Sequence, residues 1–330
     1  MPNLLLYFAS AFIWGSTWLA IQYQIGNIAP TWSVVFRFTI ASALLISYCI
    51  LKRCSLRFSL REHAAFALQG FLLFSVNYIL YYIGSAYFIS GIVAVIFASI
   101  IVMNIFNSRV FFGTPIVPRV LLGACIGLGG LAVIFWSEIS GLNISRLGIS
   151  YVLTGLGICL VATYFASLGN MSSTINQKRG LPILQTNAIG MAYGALFTLI
   201  IALIMQDKLS FDGSMPYIAS LIYLAVFGSI FAFGCYLKLL GKIGPERAAY
   251  TFVFIPIIAM TLSTLFEHFT WTSNTFIGTA LVIWGNVLVL KKNAASTTAN
   301  QKPEPHQPPL STGNSMDIPS PAIEASTSES

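Results

Sequence analysis

The feature that most constrains the fold is a succession of apolar runs, each about as long as a bilayer core is thick. A helix needs about 20 mostly apolar residues to cross the hydrocarbon core. The chain has 330 residues. Candidate spans cover 3–23, 31–51, 64–85, 89–112, 120–136, 147–172, 183–206, 217–240, 247–266 and 274–290. Short connections with helix-breaking glycine or proline separate these runs. The pattern predicts an all-α membrane protein with ten transmembrane helices.

Composition excludes the main soluble classes. Charged residues make up only 8% of the chain, against about 25% in a typical soluble domain. The lipid bilayer is therefore the expected surroundings, and a nucleic-acid partner is not expected. The five cysteines and three histidines show no metal-ligand spacing, and no ATP-binding loop is present. We therefore expect no metal and no cofactor.

The distribution of basic residues predicts the orientation. Cytoplasmic loops of membrane proteins carry an excess of Lys and Arg. With both termini in the cytoplasm, only Arg146 and Lys208 of the 17 basic residues fall on the outer side. Arg37 lies within the second span, and the other basic residues lie on the inner side or in the tail. The sequence thus predicts cytoplasmic termini.

An internal duplication indicates two related halves. A shift of about 157 positions brings residues 74–103 onto 231–260, and the run Phe-x-x-Ile-Ile-x-Met at 97–103 recurs at 254–260. Halves of five spans enter the membrane from opposite sides and form an inverted repeat, which places a substrate site near the midplane. We predict one five-helix repeat over 1–142 and a second over 143–292. The Pro- and Ser-rich residues 293–330 are predicted to be a disordered cytoplasmic tail.

Motifs near both ends of the helical region resemble a known family. The quoted residues are Phe12-Ile13-Trp14-Gly15-Ser16-Thr17, Ala29-Pro30, Arg37-Phe38, and then Pro256, Glu267, Gly278 and Gly285. They resemble the EamA domains of the drug/metabolite transporter superfamily, over about residues 3–290. The resemblance implies a secondary transporter that exports or exchanges small organic metabolites, such as amino acids or their derivatives, by alternating access. It also favours the bacterial inner membrane.

Arg37 is the leading candidate for a substrate-binding residue. It lies about six residues, or roughly 9 Å of helical rise, past the start of its span. A charge at that depth costs about 2.5 kcal/mol or more unless it meets water, a partner or a substrate. It could bind a substrate carboxylate through two parallel hydrogen bonds. The alternative is an arginine that extends to the outer interface and caps carbonyl groups.

Polar and aromatic side chains at lipid depth complete the candidate site. The substrate-binding candidates are Arg37, Trp14, Asn77, Tyr81, Tyr164 and Tyr236, with Trp18, Gln22, Asn170 and Glu267 in second rank. Such residues either line water or bridge helices, and both interpretations remain open for each of them. Glu267 is also a candidate for a proton relay.

Two other functions compete with transport: a membrane scaffold that uses the tail, and a membrane-embedded enzyme. None of the ten acidic residues forms a DxxD pair in or beside a span, which argues against metal-dependent transferase chemistry, so no catalytic residue is predicted. Glycines in spans five and ten predict close helix packing, which could support a homodimer through these two spans.

Overall fold

The computed structural model describes residues 3–26, 28–141, 146–243 and 251–290, and these residues form helices joined by short connections without strands. The predicted tail at 293–330 lies outside the described residues. So do the predicted boundary between the halves at 142 and 143 and the first residues of the predicted ninth span.

The described helices coincide with the predicted spans. They are α1 (Asn3–Gln22), α2 (Pro30–Leu51), α3 (Leu60–Gly84), α4 (Ser90–Phe112), α5 (Pro118–Gly141), α6 (Arg146–Lys178), α7 (Ile183–Ile204), α8 (215–243), α9 (Thr251–Phe266) and α10 (Ser273–Leu290). By length and apolar composition, seven of the described helices could cross a membrane, namely α1–α4 and α6–α8. The apolar stretches of α5, α9 and α10 are shorter, at Pro118–Ile134, Thr251–Phe266 and Ser273–Val289. The all-α membrane fold is confirmed, and ten crossings remain a prediction.

Local chemistry explains where several helices begin and end. Pro30 occupies the first turn of α2, where its missing N–H group costs no helical hydrogen bond. Ser59 and Glu62 form a capping box that satisfies backbone N–H groups at the start of α3. Gly113 ends α4 in a left-handed conformation with φ of 69°, which a side chain would disfavour.

Two helices contain π-helical turns. The turns lie in the third helix of each predicted half, at Gly70–Val76 in α3 and at Leu224–Phe231 in α8. The two turns begin 154 residues apart, close to the shift that relates the two halves of the sequence. The sixth residue of each is a buried serine, Ser75 or Ser229. Such turns are rare and occur frequently at functional sites.

Glycines bring α5 and α10 into backbone contact. A Cβ atom built on Gly285 would lie 2.5 Å from the carbonyl oxygen of Gly123, and one built on Gly130 would lie 2.6 Å from that of Gly278. Close approach of this kind requires small residues. The glycines therefore serve packing within one chain, and a homodimer through α5 and α10 remains a prediction.

Most of the remaining packing joins the two predicted halves. Helix α2 packs on α7, and α4 packs on α9. Helix α1 packs on α8 and α9, and α6 packs on α3 and α4 in the corresponding way. Side chains of α1, α2, α3, α4, α6, α8 and α9 line a cavity.

Candidate functional site

The cavity has about 700 Å³ of empty space, which includes the solvent at its open mouth. Its lining comprises Trp14, Thr17, Trp18, Ile21, Arg37, Leu73, Asn77, Tyr78, Tyr81, Phe97, Ile100, Ala166, Asn170, Phe233, Tyr236 and Phe252. Seven of the ten residues singled out from the sequence belong to this set. The structure thus brings these seven side chains together, although Trp14 and Tyr236 are 222 residues apart in the chain.

Arg37 lies buried in the wall of this cavity, with 1% of its surface exposed. Its Nε donates a hydrogen bond to Ser229 Oγ at 3.1 Å. Its guanidinium carbon lies 4.5 Å from the ring centre of Tyr78, a cation–π geometry. Its Nη1 has no hydrogen-bond partner among the described residues. Burial excludes the alternative in which the side chain extends to the membrane interface.

The four acidic residues with described side chains have hydrogen-bond partners of their own. Glu62 accepts a hydrogen bond from the backbone of Ser59, and Asp207 accepts one from Thr31. Asp212 accepts a hydrogen bond from the backbone N–H of Ser214. Glu267 accepts hydrogen bonds from Ser90. None of these four acids is the counter-ion of the buried guanidinium. A buried cation without a counter-ion is costly, and an anionic ligand would relieve that cost.

Aromatic rings make up much of the cavity lining. Trp14 stacks on Phe252 at 5.7 Å and 8°, and Tyr236 lies 5.2 Å from the same indole ring. Trp18 contacts Tyr81 edge-on at 5.0 Å. Flat apolar surfaces of this kind bind the apolar or aromatic part of a ligand. The cavity therefore suits a ligand with an anionic group and an apolar body.

Amide groups supply further polarity. Asn77 is 4% exposed, and its Oδ1 has no hydrogen-bond partner in the described part of the chain. Asn170 lines the cavity and donates to Asn104 Oδ1 at 3.4 Å. The Tyr81 hydroxyl is bonded to Thr163 at 2.7 Å, so Tyr81 bridges α3 and α6 and offers its ring to the cavity.

Three of the predicted site residues lie elsewhere. Tyr164 is 47% exposed on the outside of α6 and is not part of the lining. Asn170, six residues farther along α6, does line the cavity, so a polar side chain in α6 did not by itself reveal which way it faces. Gln22 donates to the carbonyl oxygens of Ser85 and Phe88. Glu267 binds the first turn of α4 through the backbone N–H and the hydroxyl of Ser90.

Polar contacts join the two predicted halves at the end of the helix bundle where α1 ends and α8 begins. Gln24, just past the end of α1, donates to Tyr217 O at 2.9 Å and to Ser220 Oγ at 2.5 Å in α8. The Glu267–Ser90 contact joins the residue that follows α9 to the first turn of α4 at the same end. Residues of the first predicted half thus bind residues of the second across this end.

The sequence did not reveal several cavity residues. Phe97, Phe233 and Phe252 lie in continuous apolar helices. In such helices the sequence pattern does not distinguish a phenylalanine that faces a cavity from one that faces lipid. Ser229 binds Arg37 from the π-helical turn of α8, a conformation without a recognisable sequence pattern. Only the repeat offered a signal, because it aligned parts of the helices that carry these residues.

Several known proteins resemble this chain along most of its length. The uncharacterized inner membrane transporter YedA of Escherichia coli K12 is 28% identical over 285 residues, 86% of this chain and 88% of that protein. Protein PagO of Salmonella typhimurium is 25% identical, over 78% of this chain and 83% of that protein. An uncharacterized transporter of Archaeoglobus fulgidus is 24% identical, over 84% of this chain and 95% of that protein.

A solved crystal structure, described only as that of a protein, superposes with a TM-score of 0.64 over 87% of this chain and 95% of its own. Its sequence identity is 16%, so the likeness shows the fold alone. The model of the EamA-like transporter family matches residues 1–136 and 153–291. These ranges include the opening and closing motifs that suggested the same family. The chain is a multi-pass membrane protein that belongs to the EamA-like transporter family.

Proposed function

We propose that this chain is a secondary transporter of small organic metabolites that carry a carboxylate on an apolar or aromatic body, with amino acids and their derivatives as the prime class. The observation that supports this proposal is the buried Arg37 guanidinium in the lining of an aromatic cavity, because its Nη1 has no hydrogen-bond partner among the described residues. A carboxylate would bind the guanidinium through charge-assisted hydrogen bonds. Asn77 would accept a hydrogen bond from an ammonium or hydroxyl group of the same ligand.

The proposed mechanism is alternating access between two inverted halves. The reciprocal packing supports it, because α1 lies on α8 and α9 as α6 lies on α3 and α4. One pair differs: α1 packs on α4, whereas the corresponding helices α6 and α9 each contribute a side chain to the cavity lining, Asn170 and Phe252. An exchange of these two arrangements would open the closed end and close the open one.

The energy source in this proposal is a gradient, and the direction is export or exchange. The bacterial inner membrane is the proposed location, in keeping with the inner membrane relative from Escherichia coli. The orientation with both termini in the cytoplasm follows from the basic residues of the loops. In that orientation the contacts of Gln24 and Glu267 lie at the outer end, which is the closed end in this proposal.

Counterflow in proteoliposomes tests the proposed function. The purified protein is screened by thermal shift against a panel of carboxylates and their amides, including phenylalanine, benzoate and benzamide. We expect the carboxylates with apolar bodies to raise Tm and to exchange across the membrane, and the amides to do neither. A panel in which amides and carboxylates behave alike would contradict the proposal.

Two tyrosines give a matched test of the cavity. Tyr236→Ala should raise the KM for a transported carboxylate by about tenfold, because it removes an aromatic contact worth roughly 0.5–1.5 kcal/mol beyond its buried area. Tyr164→Ala should leave KM unchanged, since Tyr164 lies outside the cavity. The measurement is initial-rate uptake at matched protein density. Equal effects of the two variants would show that the cavity does not bind the substrate.

A further inference from the structure

Ser229 accepts a hydrogen bond from the Nε edge of the Arg37 guanidinium. It is fully buried in the π-helical turn of α8. Its hydroxyl donates to Leu224 O at 3.0 Å, and a serine hydroxyl has one proton to donate. The oxygen of Ser229 therefore accepts the hydrogen bond from Arg37 Nε at 3.1 Å. Both hydrogen bonds of this hydroxyl are made within the protein, whereas Arg37 Nη1 has no hydrogen-bond partner among the described residues.

The π-helical register makes this arrangement available. Leu224 lies five residues before Ser229, which is the spacing of a π-helical hydrogen bond. The neighbouring Gly228 leaves room for the arginine, because a Cβ atom there would lie 3.3 Å from Arg37 Nη2 and 2.8 Å from Thr17 Cγ2. Gly228 O also accepts a hydrogen bond from Trp14 Nε1 at 3.3 Å. One turn of α8 thus holds both the arginine and an aromatic ring of the cavity.

The other half contains a neutral counterpart. Ser75 holds the same place in the π-helical turn of α3 and is also fully buried. Its hydroxyl accepts a hydrogen bond from Thr198 of α7 at 2.9 Å. In each half, the serine of the π-helical turn is thus bound by the second helix of the other half. Only the Ser229 pair includes a charge, so only that pair can orient a cation toward the cavity.

From this geometry we infer that Ser229 is a positioning residue for anion binding. It holds Arg37 Nε so that the Nη groups point at the carboxylate of a bound ligand, and it ties that ligand to the π-helical turn of α8. The inference rests on the proposed function, in which Arg37 binds the anionic group. Ser229 itself does not touch the ligand.

Binding of benzoate and benzamide to the purified full chain, measured by isothermal titration calorimetry, tests this role. Ser229→Ala should weaken benzoate binding by about tenfold, the effect of one lost hydrogen bond to a charged group. Binding of benzamide should not change, since it has no charge for Arg37 to orient. Ser229→Thr keeps the hydroxyl and should restore most of the benzoate affinity. Ser75→Ala is the matched control and should leave both affinities as in the unmodified chain.

A second measurement needs no ligand. Exchange of the Arg37 Nε proton with water, followed by NMR, should accelerate in Ser229→Ala and remain slow in Ser75→Ala. Equal behaviour of the two alanine variants in both measurements would overturn the role of Ser229. A wild-type chain that binds benzoate no better than benzamide would instead contradict the proposed function. In that case the exchange rate alone decides whether Ser229 holds Arg37.

Discussion

Replacing Arg37 with alanine should abolish transport while the protein still inserts and folds. Loss of a charge-assisted, two-pronged contact with a carboxylate costs about 3 kcal/mol, or a fall of about 100-fold in kcat/KM. Stability should not fall, because the guanidinium is a buried charge without a described carboxylate partner, and its removal relieves a desolvation cost. The measurement is counterflow in proteoliposomes, with Tm of the purified variant determined in parallel.

Two controls separate charge from geometry in this experiment. Arg37→Lys keeps the positive charge but loses the planar fork, so we expect flux between that of the unmodified chain and that of Arg37→Ala. Arg61→Ala removes an exposed arginine near the start of α3 and should leave flux unchanged. Full flux in a well-folded Arg37→Ala variant would remove the site assignment.

Replacing Gly285 with alanine should produce the largest loss of stability among single methyl additions to α10. The new Cβ atom would lie 2.5 Å from Gly123 O and 2.7 Å from Gly127 N, and backbone atoms cannot move aside without separating the two helices. Overpacking of this kind costs about 1–3 kcal/mol. Thermal unfolding in detergent should show a Tm lower by several degrees.

Gly129→Ala is the matched control for that experiment. Nothing lies within 4 Å of a Cβ atom built on Gly129, so the added methyl group meets open space. Alanine is favoured over glycine in helices by about 1 kcal/mol, and Tm should stay the same or rise. If both glycine variants lose the same stability, the backbone contact between α5 and α10 does not stabilise the fold.

Much of the fold could be predicted from the sequence because span length and apolar composition are local properties. The helix bounds of α1, α2 and α7 match the predicted spans within a few residues. The glycines of α5 and α10 predicted close helix packing but not the partner of each helix. In the structure the two helices pack on each other within one chain. The π-helical turns could not be predicted, because they have no recognisable sequence pattern; Gly70 and Gly228 within them lie close against other helices.

The candidate site was predictable where a residue type was unusual for its surroundings. Arg37, Asn77 and Trp14 stood out as polar or bulky side chains at lipid depth, and all three line the cavity. Phe252 did not, because phenylalanine is ordinary in an apolar helix. Tyr164 was wrongly expected to line the cavity, since a polar side chain at lipid depth can also face outward. The packing of neighbouring helices decides which face of a helix lines the cavity, and this packing depends on the whole fold.

The central claim is that the cavity around Arg37 opens to each side of the membrane in turn. Ala166 lines it with 3% of its surface exposed, so Ala166→Cys, in a chain whose own five cysteines are replaced, reports access at little structural cost. A membrane-impermeant maleimide is added to intact cells and, separately, to inside-out vesicles. We predict labelling of the cysteine from both sides, with protection by a saturating transported carboxylate. Labelling from one side only, with and without that carboxylate, would contradict alternating access.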